Sequence, residues 1–150
     1  MNKRSLEYLN QAVDYLKQLH FKTENIMVTG SIALDFQGVL PVTRPIHDVD
    51  LIVKMDDQSW RCMKLIEAMA NVDKLKNKDY ESGFKDMITL EFNNVKVNIW
   101  KHDNDFDWST LKDTNTGVYV ATVDHIIRAK KMYGRQKDWK DINEIVRNIL

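Results

Sequence analysis

One stretch constrains this chain more than any other. Met87–Phe92 and Val95–Trp100 flank the pair Asn93-Asn94. Paired asparagines tolerate the positive φ of a tight turn, so the flanks are expected to close as an antiparallel hairpin. With Asn93 and Asn94 at the turn, Phe92 faces Val95, Leu90 faces Val97 and Ile88 faces Ile99, an unbroken apolar face. The other face sets Glu91 against Lys96 and Thr89 against Asn98. A slip of one residue would mix the two faces, so the register is strongly specified.

The rest of the chain must supply a core for that apolar face. At 150 residues and 17.7 kDa it has the size of one domain, and we expect a single domain over 1–150. A composition of 43% hydrophobic and 29% charged residues excludes a disordered or collagen-like chain. Lys+Arg and Asp+Glu both number 22, so the chain is not a net-basic nucleic-acid binder. No apolar run approaches the ~18 residues of a membrane span, and charges interrupt the N-terminus as they would not in a signal peptide. The single cysteine, Cys62, cannot form an intramolecular disulfide or a multi-cysteine zinc site. His20, His102 and His125 lack ligand spacing, which also argues against zinc. These features lead us to expect a cytoplasmic protein without membrane partners.

Leu6, Leu9, Val13, Leu16 and Leu19 have helical spacing over 5–20, with Ser5 as a plausible N-cap. The apolar run Ile26-Met27-Val28 predicts a strand that stops at Thr29-Gly30-Ser31, followed by a short helix ending at Gly38. Pro41 and Pro45 mark a loop, and Asp48–Val53 alternates as a strand. Asp57 or Ser59 could cap a helix to about Met69, with Trp60, Met63, Leu65, Ile66 and Met69 mostly inside. Residues 70–86 are ambiguous. Thr122 is expected to cap a helix over 123–133 that Gly134 ends, and Asp138 to cap a last helix to Leu150. The fold class is therefore α/β (α+β): a small mixed sheet of four or five strands, flanking helices and a C-terminal helix pair. We expect the functional site on one edge of that sheet.

Asp48 and Asp50 stand two apart in a strand, so both carboxylates project from one face while Val49, Leu51 and Val53 take the other. Adjacent carboxylates resist joint ionisation unless something positive sits between them. A hard divalent cation, Mg²⁺ or Mn²⁺, is the natural candidate. Without a cation, the pair reads simply as polar residues at a strand's exposed start. Gly30-Ser31 lies where a strand gives way to a helix, a junction whose free N–H groups suit phosphate. Gly30 permits close backbone approach, and Ser31 adds a hydroxyl or serves only as an N-cap.

In combination these segments go further. Residues 28–53, VTGSIALDFQGVLPVTRPIHDVDLIV, resemble the signature of the DNA polymerase beta-like nucleotidyltransferase superfamily. The Gly-Ser-x-Ala-Leu form, with Arg44 shortly before Asp-x-Asp, is similar to the small bacterial and phage-associated branch that includes abortive-infection toxins of toxin–antitoxin pairs. Lys130, Gly134-Arg135, Lys137-Asp138 and Asp141 resemble the stretch that follows the catalytic half in such proteins. The resemblance implies a minimal nucleotidyltransferase fold, with a catalytic half over about 20–108 and C-terminal helices over about 122–150. It implies that Gly30 and Ser31 hold the β- and γ-phosphates of an NTP, and that Asp48 and Asp50 bind Mg²⁺ or Mn²⁺. Arg44, Lys130 and Arg135 would lie near phosphates, or else form ordinary ion pairs. The implied reaction is in-line attack of an acceptor hydroxyl on the α-phosphate, moving an NMP and releasing pyrophosphate.

One position departs from that pattern. Asn98 stands where the resemblance implies a third catalytic carboxylate. An amide oxygen can ligate a hard cation but brings no charge and cannot act as a base. Glu91 shares the hairpin face and could substitute, although Lys96 opposite is its natural partner. Two functions therefore stay open: metal-dependent nucleotidyl transfer, and a catalytically weakened relative that binds a nucleotide or a protein. The acceptor is open among an RNA 3′ end, a protein and a small molecule, as is a protein partner or homodimer. His47, beside Asp48, reads as a solvated loop residue, and Asp103, Asp105 and Asp107 as an acidic loop at the rim. Cys62 is expected to pack among apolar neighbours, and the tryptophans to serve the core or rim, with Trp100 on Asn98's face.

Overall fold

The computed structural model describes residues 3–39, 46, 48–70, 87–92, 94–102, 104 and 107–149. Arg44, His47, Asp103, Asp105, the proline loop at 41–45 and most of the ambiguous stretch at 71–86 lie outside the described residues.

The expected hairpin forms as β3 (Met87–Phe92) and β4 (Val95–Lys101), in the register read from the sequence: Thr89 opposite Asn98, Leu90 opposite Val97, Glu91 opposite Lys96. Asn94 takes φ 63°, the turn geometry expected of an asparagine. β4 then pairs in parallel with β2 (Asp48–Val53), and β2 pairs antiparallel with β1 (Ile26–Thr29). A two-residue strand, β5 (Tyr119–Val120), adds in parallel to β1. The mixed five-stranded sheet has the order β3-β4-β2-β1-β5. β2, which carries both aspartates, is thus the central strand. The expectation of a site on one edge is corrected, because β4 and β1 cover both flanks of β2.

Val49, Leu51 and Val53 are fully buried, as alternation demands, together with Ile88, Leu90, Val97 and Ile99 of the hairpin. Helix α1 (Lys3–Gln18) adds its stripe of Leu9, Ala12, Val13 and Leu16 to the same core. Burial of each such aliphatic side chain contributes roughly 1.5–3 kcal/mol, so this face holds the sheet together. Ser5 does not cap α1. It lies buried within the helix and donates to Asp35 Oδ2 at 2.7 Å, which ties α1 to α2 (Gly30–Phe36).

Helix α3 (Asp57–Ala70) is capped by Asp56, which accepts from Ser59 N–H at 2.7 Å, rather than by Asp57 or Ser59. Its inward face is narrower than expected, for Leu65 and Met69 are exposed and Cys62 is exposed rather than packed. Helix α4 (Val123–Tyr133) follows its Thr122 cap and stops at Gly134, which takes φ 61°. Helix α5 (Gln136–Ile149) completes the C-terminal pair. Asp138 serves this helix differently from expectation. It sits inside the first turn and reaches back to accept from Arg135 N–H at 3.1 Å, the reciprocal half of a capping box. Among the described residues, no helix is long and apolar enough to cross a membrane.

Candidate functional site

The site grows from strand pairing. The antiparallel β1–β2 ladder sets Thr29 opposite Asp50, and the parallel β2–β4 ladder sets Asn98 opposite Asp50 on its other side. The chain turns from β1 into α2 at Gly30, which takes φ 65° and passes directly over the Asp50 carboxylate. A Cβ at that position would stand 2.2 Å from Asp50 Oδ2. Glycine is required here both for the left-handed backbone and for the space. Ser31 follows as the second residue of α2 and is partly exposed beside this junction.

Asp48 and Asp50 project from the polar face of β2, both partly buried. Asn98 links them. Its Nδ2 donates to Asp50 Oδ1 at 2.9 Å and, more loosely, to Asp48 Oδ2 at 3.4 Å. Its Oδ1 accepts from the Thr89 hydroxyl at 2.9 Å. The chemistry fixes the orientation: ionised carboxylates only accept, so the amide must turn its N–H₂ toward them. Burial raises the Asp50 pKa to about 6. The Asn98 hydrogen bond opposes that rise, the charge of Asp48 adds to it, and Lys130 and Lys96 pull it down.

The cations are placed differently from one another. Lys130 lies close enough to act on Asp50, but it donates to Asp141 Oδ2 at 2.9 Å in a pair that is mostly withdrawn from solvent. Arg135 donates to Asp138 from Nε at 2.7 Å and lies 5.2 Å from the centre of the Tyr133 ring. Asp138 holds the guanidinium above its ordinary pKa. Both cations are thus ion-paired to α5, Lys130 from α4 and Arg135 from the connection between the two helices, and Lys130 alone of the two bears on Asp50. Glu91 is exposed opposite Lys96, on the face that carries Asn98.

Three residues of this neighbourhood were not singled out by motif. Thr89 orients Asn98, a role that the cross-strand register already implied. Lys96 stands opposite Asp48 in the parallel ladder, a pairing that hairpin reasoning alone could not supply. Tyr133 ends α4 and is hydrogen-bonded to Trp100; burial raises its pKa, while Arg135 and that bond oppose the rise. Trp100 does occupy Asn98's side of β4, as parity required.

Among the described residues, no three His, Cys, Asp or Glu side chains gather into a set that could hold a metal ion. Among the described residues, the side chains that converge here with oxygens suited to a hard cation are the two carboxylates and the Asn98 amide. The carboxylates fit Mg²⁺ or Mn²⁺ by their chemistry. The amide fits only with its oxygen turned inward. Compared with family models, curated proteins and solved structures, the chain matches none of them.

Proposed function

We propose that this protein is a metal-dependent nucleotidyltransferase that moves an NMP from an NTP to an acceptor hydroxyl and releases pyrophosphate. One observation carries the reading: the backbone at Gly30 is pressed onto Asp50, and the Asn98 amide bridges that carboxylate to the carboxylate of Asp48. A fold that packs a glycine turn against an acidic pair gains little stability from doing so. A triphosphate with its cation gives that arrangement a purpose.

In this reading Gly30 and Ser31 meet the β- and γ-phosphates, and Asp48 and Asp50 hold Mg²⁺ or Mn²⁺. Bound there, the cation would neutralise the triphosphate and align attacking and leaving oxygens. Lys130 adds positive charge beside Asp50, while Arg135 with Tyr133 forms a cationic aromatic surface on the C-terminal helices. The protein contributes position and charge more than covalent chemistry. Such an enzyme would work in the cytoplasm, on an RNA end, a protein or a small molecule, alone or with a protein partner or second copy.

Asn98 favours a second reading, a weakened relative that binds nucleotide without efficient transfer, since an amide cannot accept the hydroxyl proton. Thermal unfolding with each NTP, with and without Mg²⁺ or Mn²⁺, tests the shared core of both readings. Ligand at ~100 times its Kd should add ~2.7 kcal/mol of stability. The shift should require metal and vanish in Asp50→Ala. No shift with any NTP sinks both for the chain acting by itself, and leaves a site that awaits a partner or a protein-binding relative. Pyrophosphate release then separates them, and a transfer rate raised in Asn98→Asp above an inert wild type favours the second.

A further inference from the structure

The Asn98 amide and the cation make opposite demands. In the structure Asn98 turns its N–H₂ to Asp48 and Asp50, with Nδ2 2.9 Å from Asp50 Oδ1, and gives its oxygen to Thr89. A cation between those carboxylates would face two N–H groups. We propose that Asn98 is a reversible ligand: its amide turns over when a divalent cation enters, and presents its oxygen to the metal beside Asp48 and Asp50. This inference rests on the metal-site reading above.

Three observations support it. The terminal torsion of asparagine is broad and roughly two-fold, so a half-turn exchanges oxygen and nitrogen without moving the backbone of β4. The group behind the amide is a hydroxyl, which both donates and accepts. Thr89 Oγ1 donates to Asn98 Oδ1 at 2.9 Å in the present orientation, and its lone pairs can accept from Nδ2–H in the other. Asn98 is only 7% exposed, so an amide without such a partner would cost about 1–3 kcal/mol in either orientation. Thr89 therefore makes both orientations tenable. It is a positioning residue and touches the metal in neither.

The device also accounts for an asparagine at this point. Three carboxylates in an empty site would repel one another. Asn98 instead supplies donors to Asp48 and Asp50 while no cation is bound, and an oxygen when one arrives.

The alternative is an amide that stays as it is and obstructs the cation. Side-chain NMR of the ¹⁵N-labelled protein separates the two, with the Asn98 amide pair assigned by its loss in Asn98→Asp. Without metal, its protons should show contacts to the β-protons of Asp48 and Asp50. With saturating Mg²⁺ and no nucleotide, they should show contacts to the Thr89 methyl instead. Mn²⁺ titration followed by electron paramagnetic resonance gives the affinity. Loss of a contributing side chain should weaken binding about tenfold or more in Asn98→Ala. Contacts that stay on the aspartates with Mg²⁺ bound overturn the inference, as does Asn98→Ala binding Mn²⁺ as tightly as the wild type. If Asn98→Asp binds Mn²⁺ and the wild type does not, the turnover is wrong and the metal site stands. If neither binds, both fall.

Discussion

Replacing Gly30 with alanine tests the packing of the site without touching a charged group. Two costs add. An L-residue in the left-handed region costs roughly 1–2 kcal/mol. The second cost is steric: with Asp50 Oδ2 2.2 Å from the new Cβ, the carboxylate must retreat by about 1.2 Å to reach ordinary contact. That retreat breaks the Asn98–Asp50 hydrogen bond, a charged one of the kind that contributes about 1.5–3 kcal/mol. Gly134→Ala is the control. Gly134 has nearly the same φ, 61° against 65°, yet its Cβ would stand an ordinary 3.6 Å from the Lys131 carbonyl. Urea unfolding should find Gly30→Ala less stable than Gly134→Ala by about 1.5–3 kcal/mol, and thermal melts should separate them by roughly 3–12 °C. In an Asp50→Ala background most of the excess should vanish, because the carboxylate is gone and only the Cβ, 3.2 Å from the new methyl, is left. Equal stabilities for the two glycine variants, or no coupling between positions 30 and 50, would refute the claim that the backbone at Gly30 is built around Asp50.

Other perturbations follow from the same geometry. Asp50 titrates near 6 when folded and near 3.8 when unfolded, so the folded state binds more protons between those values. Its contribution to stability therefore declines as pH rises from about 4 to about 6, by about 3 kcal/mol in all. Asp50→Asn should remove that decline and be the more stable protein at pH 7 in urea titrations. His125, whose pKa is lowered by burial and by Arg128 and His102, acts in the opposite sense below its unfolded value of 6.5, so the two pH curves must be compared by difference. Lys130→Met removes the ion pair to Asp141 in a site with little solvent, and should cost about 2 kcal/mol or more; NTP affinity, read by the same melts, should also fall. Glu67, buried on α3, accepts from the Thr89 backbone N–H on the outer strand of the sheet. Glu67→Gln should be nearly neutral by denaturation, whereas Glu67→Ala should cost about 1–3 kcal/mol and, by light scattering, promote aggregation through the uncovered strand.

The sequence made the hairpin and the aspartate strand legible because each had two faces that agreed on one register. Asp48 beside Asp50 follows from a period of two alone, and Thr89 opposite Asn98 from that period once the turn is placed at Asn93-Asn94. β5 was not legible: Tyr119–Val120 is too short to show a period, and it is held by pairing to β1. The centrality of β2 was hidden for a related reason, since parallel partners far apart in sequence leave no local trace. Caps were read one residue off at Asp56, and for Asp138 from the wrong side, because any of several neighbouring polar residues can satisfy the same N–H groups. Leu65 and Met69 show that helical spacing counts apolar residues without saying how wide the covered face is. Motif reasoning singled out the glycine, the aspartates and Asn98, which the fold brings together. It could not tell which way an amide points, since that depends on the Thr89 hydroxyl across the strand.

The ladder that joins Asp50 to Asn98 closes a gap of 48 residues. Closing so long a loop is entropically unfavourable and slow, and its cost is met before the contact yields anything. During synthesis, β1, α2 and β2 can emerge with Gly30, Asp48 and Asp50 already in order, yet the aspartates stay fully hydrated until β4 arrives. Lys130 follows later still. Every nascent chain ending before the hairpin therefore carries Gly30, Asp48 and Asp50 without their convergence on Asn98, so the arrangement is timed by topology and completes only when the fold is nearly complete.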